Sequence, residues 1–595
     1  MNLPNGILEK IEYWSKSSAF DPQTRKEVQD LFEQNNEKEL TDRFYRDLSF
    51  GTGGMRGIMG AGTCRMNIYN IGKATTALGL YLKEYAKGRS EQLKVAIAYD
   101  SRNNSREFAK KSAEVLAALG IQAIITRQMR PVPMLSLMVR HFKCDAGICV
   151  TASHNPPAYN GFKVYWRTGG QLTPPHDQNI IDFYNNIKSY ENLESIAYDE
   201  GVTKGLIKEV LDEVDEAYFL ELESIRLQRF ESHPLKIVYS PIHGTGIFAV
   251  PKALHQFGFP HVDIPPEQET PDGNFPTVSS PNPEDKEALS MALSLAQEKN
   301  ADMVLATDPD TDRIACIVKE GSEYVSFNGN ELCCLLTEYI LSTLTKRHTL
   351  PENPLVVSTI VTTDLHKKIA EHYHAHCEQT LTGFKWICQL VEDYEQGARK
   401  PYRRFVCGGE ESYGFLVGNF VRDKDAISAC ALAAEMVAYY KDEGLRLSQV
   451  LDKIYLRHGV YRDALHNVVL PGKQGSQRIE RMMERFRSAP PAITGSKVTK
   501  VMDFLTQTQK VFDNGAWVEQ ALEGLPSSNV LQFHLSDGSK ISIRPSGTEP
   551  KIKFYFSMRV DAGSSQSELD AAKENCHKKL EQVTKEFVEI AEATT

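Results

Sequence analysis

The sequence predicts an α/β chain of several domains that closes in a smaller α+β domain, and three observations predict it. The first is size: 595 residues exceed what one hydrophobic core organises, so about three to five domains are expected. The second is a repeated local plan. Val95 to Tyr99 precedes Asp100-Ser101-Arg102, Ile237 to Ser240 precedes His243-Gly244-Thr245-Gly246, and Val356 to Ile360 precedes Thr362-Thr363-Asp364. Each is an apolar strand, a polar or glycine-rich turn and a helical stretch. That alternation builds layered α/β domains, whose ligands gather at the carboxyl ends of the strands. The third is a change of pattern: Val530 to His534, Lys540 to Ile543 and Ile552 to Phe556 read as strands around short turns, before a terminal helix.

Up to about Tyr45 the chain reads as a helical leader. Asp21-Pro22 can open a helix, since proline suits the first helical position, and Val28, Leu31 and Phe32 would share one face of it. Boundaries fall near 205, 325 and 458. The expected domains are residues 1–205 (leader plus a hydroxyl-bearing loop), 206–325 (an acidic loop), 326–458 (a glycine-acid segment) and 459–595 (the α+β domain).

Hydrophobic residues make up 41% and charged residues 25%, the balance of a soluble globular chain rather than a disordered or fibrous one. A formal net charge of -10 without a basic stripe argues against a nucleic-acid partner. No uncharged apolar run reaches the ~18 residues of a membrane-spanning helix, and Met1 to Lys16 lacks the apolar core of a secretory signal. Eleven scattered cysteines, an odd number without C-x-x-C spacing, fit a reducing cytoplasm. A soluble, cytoplasmic protein without membrane or nucleic-acid partners is expected, and nothing in the sequence marks an interface between copies.

The candidate chemistry lies in separate segments. Thr151-Ala152-Ser153-His154-Asn155-Pro156 follows the apolar Ile148 to Val150 and precedes Asn160-Gly161-Phe162-Lys163, so a strand end presents a hydroxyl. Serine alone is a poor nucleophile. Phosphoryl transfer through Ser153 needs a cation to neutralise charge and a neighbour to take the proton, with His154 and Lys163 as candidates. Taken alone, Ser-His-Asn-Pro is also an ordinary turn. Asp308-Pro309-Asp310-Thr311-Asp312-Arg313 follows Met303 to Ala306 and sets three carboxylates at alternate positions. Oxygen-only ligation suits magnesium. Zinc would want Cys or His, and an EF-hand loop would want Gly and Glu where Arg313 and Lys319 stand. Without a cation, three like charges in one turn repel each other.

Cys407-Gly408-Gly409-Glu410-Glu411-Ser412-Tyr413-Gly414 combines flexible glycines with an acid pair and a hydroxyl able to bond sugar hydroxyls, and it lacks the G-x-S-x-G of hydrolase elbows. Arg544-Pro545-Ser546-Gly547-Thr548-Glu549-Pro550-Lys551 offers a guanidinium, two hydroxyls and backbone donors to a phosphate dianion, without the glycine-lysine order of a Walker loop. Gly51-Thr52-Gly53-Gly54-Met55-Arg56-Gly57 and Arg422-Asp423-Lys424-Asp425 each add basic residues able to hold phosphate. Singly, each segment also reads as a turn or a charged surface. Together they give one chemical part to each expected domain.

In this order, and over nearly the whole chain after about residue 45, the four main motifs resemble those of the α-D-phosphohexomutase superfamily. The resemblance implies four domains around a central cleft, three with related α/β cores and a fourth similar to TATA-binding-protein-like folds. It implies that Ser153 is the phosphoserine, that Asp308, Asp310 and Asp312, with Ser153, hold magnesium, and that Arg313 assists at the transferring phosphate. Arg56, His154 and Lys163 would flank the phosphoserine. Glu410 and Ser412 look like the sugar-binding pair, and Arg544, Ser546, Gly547 and Thr548 look like the distal phosphate site, with Arg422 and Lys424 as further substrate contacts. Pro309 and Thr311 depart from the Gly and Ala common in the family but leave the carboxylates in place.

Within the family, Glu-Glu-Ser at 410–412 and Thr382-Gly383-Phe384-Lys385-Trp386 resemble glucose-type members, whereas phosphomannomutase-like members commonly carry Glu-Met-Ser. Phe415-Leu416-Val417-Gly418 and Arg422-Asp423-Lys424-Asp425-Ala426 are similar to bacterial α-phosphoglucomutases, and the Gly-Thr-Gly-Gly-Met-Arg-Gly start resembles a branch that also holds phosphopentomutases. The activity implied is interconversion of α-D-glucose 1-phosphate and glucose 6-phosphate, with glucose 1,6-bisphosphate as intermediate and activator and the phosphosugar as partner. Rival chemistries are mannose or pentose phosphate isomerisation and net synthesis of glucose 1,6-bisphosphate. The rival of another class is a catalytically silent phosphosugar-binding protein, against which Ser153, the acid triad and Arg313 all argue.

Overall fold

A computed structural model describes residues 3–51, 53–470, 472–546 and 551–593. The chain divides into two compact units. The first comprises Met1–Phe327, Cys388–Arg399 and Ser412–Ala438, and the second comprises Asn328–Ile387, Lys400–Glu411 and Tyr439–Thr595.

Three helices open the first unit: Asn5–Lys16, Pro22–Glu33 and Glu37–Phe44. Asp21 caps the second, its carboxylate accepting from the amides of Gln23 at 2.8 Å and Thr24 at 2.9 Å, and Pro22 fills the first turn, where its missing N–H would be unpaired anyway. The helices enclose a small core around Trp14 and Phe20, stacked 4.2 Å apart, into which Val28 is buried and against which Leu31 packs. Phe32 departs from the expected face: it lies in the last turn of the helix, outside that core, and is 40% exposed.

The first sheet has six strands in the order Gly54–Ile58, Tyr159–Trp166, Ala146–Val150, Lys94–Tyr99, Gln122–Thr126, Ile207–Val210. The last four run parallel; Ala146–Val150, Lys94–Tyr99 and Gln122–Thr126 are buried on both faces and so written as near-continuous apolar runs, while the edge strand Ile207–Val210 exposes Lys208 and Glu209. Tyr159–Trp166 returns antiparallel to Ala146–Val150, and the connection between them carries Ser153. The second sheet runs Glu323–Phe327, Ile314–Glu320, Met303–Thr307, Ile237–Ser240, Val262–Asp263. Thr307 pairs with Ile314 across an antiparallel ladder, so Asp308 to Arg313 form the turn between two hydrogen-bonded strands.

In the second unit, His376–Thr380, Pro354–Thr359 and Arg404–Glu410 lie parallel. The C-terminal sheet is antiparallel and seven-stranded, ordered Val460–Val469, Lys551–Val560, Lys540–Pro545, Leu531–Leu535, Val498–Asp503, Thr508–Asp513, Ala516–Ala521. The helices Gly472–Ser488 and Gln566–Glu592 pack on it, and Phe486 stacks on Phe587 with ring centres 5.0 Å apart. Three of these seven strands are the ones expected from their apolar residues. Most positions of the other four are partly or fully exposed, so they carry no continuous apolar run. Among the described residues, no helix is long and apolar enough to cross a membrane.

Candidate active site

Ser153 lies three residues beyond the strand Ala146–Val150 with φ +51°, a left-handed conformation that costs a side-chain-bearing residue about 1–2 kcal/mol. Its amide donates to Thr151 Oγ1 at 2.8 Å. The returning strand approaches closely: a Cβ on Gly161 would meet the Thr151 carbonyl oxygen at 2.3 Å, so glycine is required there. Gly54, at φ +123°, serves the same purpose one strand further out, where a Cβ would lie 1.8 Å from the Phe162 carbonyl oxygen. That outer strand carries Arg56, which donates to Asn155 Oδ1 at 2.8 Å.

The Ser153 hydroxyl, itself buried, donates to Asp308 Oδ2 at 2.7 Å, and His154 Nδ1 lies 3.2 Å from Ser153 Oγ. Burial, helped by the Arg313 and Arg56 cations, pushes the His154 imidazole well below its ordinary range, so the ring is neutral.

Asp308, Asp310 and Asp312 are buried, with one carboxylate oxygen of each within 4.8 Å of the others. Asp308 Oδ1 accepts the amides of Asp312 and Arg313, both at 3.1 Å, which curls the turn around its first acid. Thr311 sits at φ +59° with its hydroxyl 2.9 Å from that of Thr245, which also donates to the Pro309 carbonyl at 2.9 Å. Gly244 makes room for the proline, since a Cβ there would meet Pro309 Cα at 2.4 Å. The two departures from the family pattern are thus seated in one pocket without displacing the carboxylates.

Lys163 Nζ reaches Asp310 at 2.8 Å and Asp312 at 3.3 Å, and Lys424 Nζ reaches Asp312 at 3.1 Å. Burial opposes the Lys163 charge, but Asp310 and Asp312 outweigh it and hold the ammonium above the ordinary lysine range. Burial likewise opposes ionisation of Asp312, yet Lys424 and Lys163 keep its carboxyl below the usual range, while burial and the two neighbouring acids push Asp308 up. Asp310 Oδ1 and Asp312 Oδ1 are buried without a hydrogen-bond partner. Buried carboxylate oxygens left unsatisfied beside a third acid suit a hard divalent cation.

Arg313 pairs with Glu284, a residue that sequence reasoning missed because Pro-Asn-Pro-Glu carries no chemical signature. Arg422, expected to hold phosphate, has a fully buried side chain engaged by Glu395 and, at 3.6 Å, by Glu392, so of this basic pair it is Lys424 that reaches the acid loop. Ser412 is partly buried in the first unit.

In the second unit, Glu410 is buried at the end of Arg404–Glu410. The glycines before it are strand residues rather than a flexible loop: Gly408 pairs with Val357 and Gly409 with Ser358, and a Cβ on Gly408 would stand 2.6 Å from the Val357 carbonyl oxygen. Arg544 lies in Lys540–Pro545 opposite Lys553, and the Ser546 amide donates to the Lys551 carbonyl at 2.8 Å. Tyr555, also missed, is buried among these groups. Its phenol is pushed above the ordinary range by burial and by Glu411, and it shares a hydrogen bond with Arg544. Gly547 and Thr548 lie outside the described residues.

The descriptions "Phosphoglucomutase/phosphomannomutase, alpha/beta/alpha domain" I, II and III match residues 47–191, 216–321 and 328–458. A phosphoglucomutase of Staphylococcus saprophyticus is 35% identical over 536 residues, covering 90% of this chain and 94% of that one. Another, from Staphylococcus epidermidis, is 35% identical over 539 residues, covering 90% and 95%. Among solved structures, the open form of Paramecium parafusin, a phosphoglucomutase, aligns with TM-score 0.63 at 17% identity, covering 92% of this chain and 96% of that one. A family protein from Burkholderia thailandensis aligns with TM-score 0.59 at 19% identity, covering 90% and 97%. At such identities these two likenesses speak for the fold alone. With these relatives, a serine hydroxyl facing an acid triad on α/β domains followed by a β-rich C-terminal domain marks a phosphosugar mutase, an isomerase. The chain belongs to the phosphoglucomutase/phosphomannomutase family within the α-D-phosphohexomutase superfamily.

Proposed function

We propose that this chain is a magnesium-dependent phosphoglucomutase, interconverting α-D-glucose 1-phosphate and glucose 6-phosphate through phospho-Ser153 and glucose 1,6-bisphosphate. One observation carries the reading: the Ser153 hydroxyl lies 2.7 Å from Asp308 within a loop of three buried carboxylates. The two phosphoglucomutases at 35% identity support glucose as the sugar. Asp308, Asp310 and Asp312, with Ser153, would hold magnesium, which when bound neutralises charge on the transferring phosphoryl group.

In the first half-reaction the phosphorus–oxygen bond to Ser153 Oγ breaks as a bond to a sugar hydroxyl oxygen forms, and the sugar's proton ends on Ser153 Oγ; in the second the bond from the bisphosphate's other phosphorus to its sugar oxygen breaks as a bond to Ser153 Oγ forms, and the proton returns to the sugar oxygen. His154, neutral and 3.2 Å from Ser153 Oγ, is close enough to relay it. Lys163, Arg313 and Arg56 offer fixed positive charge to the phosphate in flight. Glu410 and Ser412 take the sugar hydroxyls, and Arg544 and Ser546, with Gly547 and Thr548, take the distal phosphate while the bisphosphate turns end for end. The eleven cysteines are free thiols, all but Cys377 buried, which supports the cytoplasm as the setting.

A coupled assay of glucose 1-phosphate, mannose 1-phosphate and ribose 1-phosphate, with and without a trace of glucose 1,6-bisphosphate, tests the reading. Glucose 1-phosphate is expected to turn over fastest and to be stimulated by the bisphosphate. Faster turnover of either rival sugar would reassign the substrate, and stable phosphorylation without turnover would make this a binding protein.

A further inference from the structure

The loop that presents Ser153 is irregular backbone, and its carbonyl groups need donors from outside it. One buried side chain supplies them. Arg102 Nη2 donates to the carbonyls of Ser153 and Asn155, and Nη1 donates to those of Pro156 at 3.0 Å and Tyr159 at 3.1 Å. The guanidinium is fully buried, 3.3 Å from Asp100, whose other carboxylate oxygen accepts the Arg102 amide at 3.0 Å and the Ser105 hydroxyl at 2.7 Å. Asp100 and Arg102 follow Lys94–Tyr99, which is hydrogen-bonded to Ala146–Val150, the strand that leads into the Ser153 loop. Loop and clamp therefore spring from two adjacent parallel strands. From the other side the buried Phe275 ring stands 4.9 Å from the guanidinium carbon, and Gly273 lies so close that a Cβ would meet the Asn103 amide nitrogen at 2.4 Å.

A serine at φ +51° relaxes unless its surroundings over-determine it. The two bonds from Nη2 fix peptide planes at Ser153 and two residues beyond it, which is where such a relaxation would turn. We propose that Arg102 is a positioning residue for the phosphoryl transfer: it holds Ser153 in its left-handed conformation and so aims Oγ at Asp308 and the reacting phosphorus. The inference rests on the reading of Ser153 as the phosphoryl carrier. A lysine in its place has one nitrogen where arginine has a planar fork, so it cannot bridge four carbonyls in a fixed geometry.

The test compares the full-length protein with Arg102→Lys by three measurements: steady-state kinetics on glucose 1-phosphate, the rate at which Ser153 takes up a phosphoryl group from glucose 1,6-bisphosphate by intact mass, and amide hydrogen exchange over residues 151–159. The expected result is a kcat and a phosphoryl-uptake rate lower by about ten- to a hundredfold with KM within about twofold. Loop amides should exchange at least about tenfold faster while the rest of the first sheet keeps its protection. Should Arg102→Lys fail to fold, Asp100→Asn, which keeps the guanidinium but removes its carboxylate backing, carries the same test with a smaller loss of the same pattern. Unchanged loop exchange and uptake in a folded variant, or a raised KM at unchanged kcat, would overturn the role. Failure of the wild-type protein to phosphorylate Ser153 at all would instead overturn the reading on which it rests.

Discussion

Ser153 makes few demands on the fold, since its hydroxyl contributes one hydrogen bond to a carboxylate and a longer contact to an imidazole. Ser153→Ala should therefore fold normally, yet lose the phosphopeptide and nearly all turnover; a near-normal rate would end the proposed mechanism. Glu410, buried at its strand end, is expected to accept from whichever sugar hydroxyl the turned bisphosphate presents. A charge-assisted bond contributes roughly 1.5 to 3 kcal/mol, so Glu410→Gln should lower kcat/KM by about ten- to a hundredfold in both reaction directions. A loss confined to one direction would contradict the shared role. His366 bears on stability instead. It is fully buried, with Nε2 2.8 Å from Thr337 Oγ1, and burial lowers its imidazole to about 4 from the ordinary 6.5. A folded value below the unfolded one means that the stability is intact above pH 6.5 and drains away as pH falls toward about 4, by about 3 kcal/mol in all. His366→Gln should flatten that dependence, as urea unfolding at pH 7 and pH 4.5 would show.

The acid turn depends on a neighbouring element as much as on its own sequence. Gly244 is the close approach that admits Pro309, so Gly244→Ala should push the turn away and weaken magnesium binding by at least about tenfold, measured by calorimetric titration. Affinity equal to wild type would mean that the turn is positioned otherwise. Much of this element was legible beforehand, because alternate acids after an apolar strand speak directly of ligation. What the turn rests on was not: Thr245 and Thr311 meet only after folding, 66 positions apart. The same distinction separates Ser153, recognisable from its local motif, from Arg102, which contacts the loop from 51 positions away and whose own segment reads as a plain turn. The glycines at 408 and 409 misled for a related reason. A local reading takes glycine as flexibility, whereas here at least one is demanded by the backbone of an adjacent strand.

At the scale of the whole chain, all three acids of the triad belong to the first unit. Magnesium at about a hundred times its dissociation constant should add about 2.7 kcal/mol by mass action and raise the unfolding temperature by a few degrees, an increment that Asp310→Asn should abolish. An equal shift in the variant would place the ion elsewhere. The parallel sheets were readable from their apolar runs, whereas the C-terminal sheet was half hidden, because its outer strands present much of their length to water. The two lysines on the acid turn have a further consequence. Three carboxylates against two ammonium groups leave a formal surplus of one negative charge, tolerable in a folded interior without any ion. A divalent cation would reverse the surplus to one positive, and a phosphoserine dianion would reverse it again. On the proposed mechanism the pocket would then work like a rocker: each arrival would carry it from one charge on one side of neutral to one charge on the other and so draw in the partner of opposite sign, and at no point would the protein have to bury a large imbalance.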